Sequence, residues 1–63
     1  MKGKVKFFND MKGFGFITSE DGIDYFVHIS DVNEGLELID DLNVMFEVTD
    51  GDRGPKATNV RQE

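Results

Sequence analysis

Lys12-Gly13-Phe14-Gly15-Phe16-Ile17-Thr18 alternates rings with small or aliphatic residues. On a strand, successive side chains point to opposite faces, so Phe14 and Phe16 share one face while Gly15 and Ile17 share the other. A sheet that covers a core on one side is apolar there and polar on the other. Here both sides carry apolar groups, so the strand is either buried twice or presents its rings to water for a reason. The chain has 63 residues, of which 38% are hydrophobic. That is enough for one domain over 1–63 and too little apolar material to cover a second face. The crowded interior of a small barrel suits Gly13, Gly15 and Ile17, which places Phe14 and Phe16 outside. Flat exposed rings beside a lysine suit single-stranded nucleic acid, because bases stack on the rings while a cation meets the phosphates.

Working outward, Lys2 to Asn9 reads as a first strand, and Asn9 to Gly13 as a turn. Phe14 to Ser19 is the second strand, closed by Glu20-Asp21-Gly22, where Asp-Gly favours a tight hairpin. Ile23 to Ile29 is the third. Ser30-Asp31-Val32 can begin a single helical turn with Ser30 as its cap. Asn33 to Leu42 has no clean period and is expected to be a loop. Asn43 to Thr49 alternates, with Val44, Phe46 and Val48 on the side expected to face the core. After the turn at Asp50–Pro55, Lys56 to Arg61 is the last strand, and the odd spacing of Ala57 and Val60 predicts a bulge. Five short strands with dense turns predict an all-β, closed or nearly closed barrel.

The net charge is −6, a poor footprint for a protein that grips a polyanion. Its distribution is uneven. Residues 1–12 hold Lys2, Lys4, Lys6 and Lys12 against Asp10, a local +3, and residues 13–63 hold three basic and twelve acidic groups, or −9. A basic first strand therefore adjoins the aromatic one. The same lysines also suit the solvated face of an edge strand, where they discourage aggregation. There is no cysteine, which excludes disulfides and thiolate metal sites. His28 is the one histidine and matches no usual metal-ligand spacing. Gly13-Phe14-Gly15 is followed by no helix and so is not a phosphate loop. No metal, no cofactor and no catalytic residue is expected, and the chain is read as no enzyme. No apolar run reaches the length of a membrane span or a signal-peptide core, so a soluble cytoplasmic protein, monomeric and without a membrane partner, is expected.

The chain resembles the bacterial-type cold-shock proteins, from Lys2 to Val60. Lys12-Gly13-Phe14-Gly15-Phe16-Ile17 is similar to their first RNA-binding signature and Tyr25-Phe26-Val27-His28-Ile29 to their second. Gly3-Lys4-Val5-Lys6 with Phe8-Asn9, Phe46-Glu47-Val48, and Gly54-Pro55-Lys56-Ala57 with Asn59-Val60 follow the family pattern in order and spacing. The resemblance implies a five-stranded antiparallel OB-fold barrel that binds single-stranded RNA and DNA with little sequence preference and acts as an RNA chaperone. By the same resemblance Phe14, Phe16, Phe26 and His28 would stack bases, and Lys6, Lys12, Asp24 and Arg53 would frame the strand.

Four positions depart from the family. Tyr25 stands where Val is usual and faces inward, and the other three lie among the contacts. The family usually has Trp where this chain has Phe7, Phe where Ile29 stands, and an aromatic in the long loop where Leu36 stands. These three are carried as candidate contacts, two of them with an aliphatic group in place of a ring. Strict alternation puts Phe7 inward with Val5, whereas the resemblance puts it on the binding face, and a bulge near Phe7 would reconcile the two. The other reading of an exposed Phe patch is a hot spot for a protein partner.

Overall fold

A computed structural model describes residues 1–52 and 54–63. Five strands, β1 (Lys2–Asn9), β2 (Phe14–Ser19), β3 (Asp24–His28), β4 (Asn43–Gly51) and β5 (Gly54–Gln62), close into a barrel in the order β1-β2-β3-β5-β4. Four pairings are antiparallel and the fifth, β3 with β5, is parallel. The expected all-antiparallel barrel is therefore corrected on this point. The reason is parity, since directions cannot alternate all the way round a closed ring of five strands. The long connection from β3 to β4 supplies the crossover that a parallel pair needs.

The core follows the alternation. Val5, Ile17, Val27, Val44, Phe46, Ala57 and Val60 have no exposure, and Tyr25 packs inward with its ring 5.8 Å from that of Phe46. Gly15, Ile17 and Ser19 form the inner side of β2, with Gly13 buried just before it; Gly13, Gly15 and Ile17 are where the sequence places them. The expected bulge in β5 falls at Asn59. The pairing slips between Met45 and Glu47 of β4, and Asn59 takes φ 50°, a left-handed conformation that Asn tolerates. That extra residue brings Ala57 and Val60 to the same side.

Three local expectations change. Val48 is 38% exposed rather than core. β1 pairs with β4 only at Asn43, Val44 and Met45, so the β4–β5 hairpin projects past the covered part of the barrel. The 33–42 segment lacks helix and strand, as expected, yet Leu38 from it is buried in the core, with Leu36 and Leu42 packed against the cluster. The helical turn after β3 is a 3₁₀ turn over Ile29–Asp31, and its cap is His28 rather than Ser30.

Candidate nucleic-acid interface

Sheet register explains why the rings converge. Phe7 pairs with Phe16, Phe16 with Phe26, and Phe14 with His28, so β1, β2 and β3 carry two adjacent rungs of outward-facing rings. The centroids of Phe7 and Phe16 are 5.6 Å apart, those of Phe16 and Phe26 5.9 Å edge to face, and those of Phe14 and Phe26 5.9 Å stacked. Each contact lies in the range where aromatic pairs stabilise one another by about 0.5–1.5 kcal/mol beyond area burial. Phe7 is 41% exposed, and Phe14, Phe16 and Phe26 are half-buried because each is partly covered by its neighbours.

Phe7 reaches this face through a slip in β1. The β1–β2 register shifts between Val5 and Phe7, so Lys6 and Phe7 both point outward and Phe8 turns back against the core. The bulge that would reconcile strand alternation with the family pattern is present.

Polar groups form the next rung. Lys6 Nζ donates to Asp24 Oδ2 at 2.9 Å, and the Thr18 hydroxyl donates to Asp24 Oδ1 at 2.7 Å. The Thr18 hydroxyl first, and the Lys6 ammonium second, hold the Asp24 carboxyl below its ordinary 3.8. Asp24 is thus an ionised acceptor beside the rings at neutral pH.

His28 is held rather than loose. Its Nδ1 accepts the Ser30 backbone N–H at 3.1 Å and lies 2.9 Å from the Ser30 hydroxyl. A ring nitrogen that accepts leaves the other to carry the proton in the neutral form, so Nε2 is the donor. Capping the 3₁₀ turn therefore also orients the ring beside Phe14.

The remaining candidates lie around this cluster. Lys12 is exposed in the β1–β2 turn, where Asn9 Oδ1 accepts the backbone N–H of Met11 and of Lys12. Ile29 is 52% exposed and ties to that turn by donating its N–H to the Gly13 carbonyl at 2.8 Å. Leu36 is half-buried in the long loop and packs against the core cluster. Arg53 lies outside the described residues. Lys2 stands towards the opposite end of β1 from Phe7, paired with Glu63 at 3.1 Å.

Two neighbours escaped the sequence reading. Thr18 positions Asp24, and Lys56 pairs in register with Phe26 across the parallel β3–β5 contact. Only the pattern of outward positions on β5, combined with the parity of the ring, could have placed Lys56 there.

A closed five-stranded barrel with a ring cluster on the outside of β1–β3 belongs to the OB-fold class. The sequence comparisons are specific within it. The 'Cold-shock' DNA-binding domain family matches residues 1–63. The chain is 51% identical to cold shock protein 2 of Lactiplantibacillus plantarum over 63 residues, covering 97% of this chain and 96% of that protein. It is 53% identical to the cold shock-like protein CspE of Bacillus anthracis, covering 95% and 92%, and 54% identical to CspC of Shigella flexneri, covering 95% and 91%. The chain belongs to the cold-shock domain family, a family of nucleic-acid-binding proteins.

Proposed function

We propose that the chain, as one domain over residues 1–63, binds single-stranded RNA and DNA with little sequence preference and acts as an RNA chaperone. The observation that carries this reading is the joining of Phe7, Phe16, Phe26 and Phe14 into one outward surface with cations at its margin. Every base has a π-face, so stacking tolerates sequence, and each base stacked on a ring contributes about 1–3 kcal/mol. His28 extends the ring row, and Ile29 adds an aliphatic platform beside it. Lys6, Lys12 and Arg53 meet phosphates, while Asp24 accepts hydrogen bonds from base edges.

Chaperone action follows from mass action. A duplex hides the base faces that the rings need, so the protein binds the unpaired strand and shifts weak pairing toward it. Competition between a single-stranded oligonucleotide and its own duplex tests this. The single strand should displace the duplex, and a weak RNA hairpin should melt at lower temperature as protein is added. Equal affinity for both forms would overturn the proposal.

A further inference from the structure

We infer that Lys56 is a further phosphate-binding residue, placed at the β5 end of the Phe7–Phe16–Phe26 rung and held over the face by Asp31. This inference rests on the single-strand reading above. Its first support is register. Phe26 pairs with Lys56 and Val27 with Ala57 across the parallel strands. Val27 and Ala57 are both fully buried, so Phe26 and Lys56 both point outward, on the same face. The rung therefore runs Phe7, Phe16, Phe26, Lys56 across four strands, about 14 Å at ordinary strand spacing. Lys6 flanks its first ring and Lys56 its last.

The side chain of Lys56 is fixed at two points. Its Cδ and Cγ lie 3.2 and 3.4 Å from where a Cβ on Gly51 would stand, so its stem rests on that glycine. Its ammonium is 3.3 Å from Asp31 Oδ2. The rotamer freedom that a free lysine loses on meeting a ligand is already lost here, which favours binding. The contact with Asp31 is ionic and the side chain is 36% exposed, so the three donors of the ammonium are left to face solvent or a ligand. Phe26, Pro55 and Lys56, with Gly51, Asp52 and Gly54, also line a hollow of about 220 Å³. The hollow gives the backbone of a base stacked on Phe26 room to approach the ammonium.

The simpler role for Lys56 is to neutralise Asp31, whose Oδ2 is buried without a hydrogen-bond partner among the described residues. The test must therefore avoid stranding that carboxylate. The unsubstituted protein, Asp31→Asn and the double variant Asp31→Asn/Lys56→Gln are titrated with an oligothymidine of about six nucleotides over a fourfold range of salt. Thermal melts check that all three fold. Each phosphate neutralised on a single strand adds about 0.7 to the salt slope. The double variant should show a slope lower by about 0.7 than Asp31→Asn, so that its affinity falls about 2.6-fold less across that range. Lys56→Arg should keep the slope of the unsubstituted protein. Equal slopes in Asp31→Asn and the double variant, with binding retained, would confine Lys56 to its structural pair and overturn the inference alone. Absence of binding by the unsubstituted protein would instead overturn the single-strand reading, and this inference with it.

Discussion

The ring of Phe7 meets that of Phe16 at 5.6 Å only because β1 slips by a residue after Val5. The slip brings the β1 backbone close over β2. A Cβ on Gly15 would run into the Phe7 carbonyl oxygen and stand 2.7 Å from Phe8 Cα. The glycine between the two rings of the motif is thus required by approach of backbone rather than by its dihedral angles. Gly15→Ala should destabilise the fold by at least the 1–3 kcal/mol typical of overpacking, roughly, in chemical denaturation. It should also part Phe7 from Phe16. An unchanged denaturation midpoint would show that β1 can yield without cost.

Acid should loosen the polar rung. Asp24 is held below its ordinary 3.8 by Thr18 and then Lys6. A carboxyl depressed by folding adds stability that is complete above its unfolded value and is lost as pH falls through the folded value. Asp21 is depressed in the same direction, chiefly by the Ser19 hydroxyl. The stability gap between the unsubstituted protein and Asp24→Asn should therefore be present at neutral pH and should close below 3.8. Thermal melts of both proteins at neutral and acid pH check this. A gap that widens in acid would contradict the assignment.

Ile29 and Leu36 stand where the resemblance implies a ring, and the fold treats them differently. Ile29 is 52% exposed beside the β1–β2 turn, so Ile29→Phe adds a platform without disturbing the core. It should tighten oligonucleotide binding, at most by the 1–3 kcal/mol or so that one stacked base supplies. Leu36 packs against the core cluster, so Leu36→Phe should lower thermal stability and tighten binding less than Ile29→Phe. Equal gains from both would place the long loop against the ligand after all.

Much of this was legible in local pattern. The Phe14–Ile17 alternation placed its rings outside and its small residues inside. The conflict at Phe7 and the uneven spacing of Ala57 and Val60 each marked a bulge. What stayed hidden was long-range. Lys56 lies beside Phe26 through a parallel pairing between strands separated by the whole of β4, and no local period encodes that partner. Leu38 reaches the core from a segment with no period at all. Val48 continues a clean apolar alternation, yet the strand outruns its neighbour there and the side chain meets water. His28 read as a ring for bases, and its second task as the cap of the 3₁₀ turn depends on geometry that the sequence suggests for Ser30 equally well.

Under the proposed function, bases stack on the ring cluster while charge only assists. The affinity of a short oligothymidine for the unsubstituted protein and for Phe16→Ala, measured at low and high salt, tests this. Phe16 touches both Phe7 and Phe26, so its loss opens the middle of the rung. With a net charge of −6, and with Lys6 already paired to Asp24, the salt slope should be shallow. It should correspond to about one to three phosphates at roughly 0.7 each, or about four with Lys56 counted. Phe16→Ala should lose about 1–3 kcal/mol of binding at both salt concentrations while remaining folded. A steep slope, with Phe16→Ala binding as tightly as the unsubstituted protein, would mean that charge carries the interaction and that the rings do not.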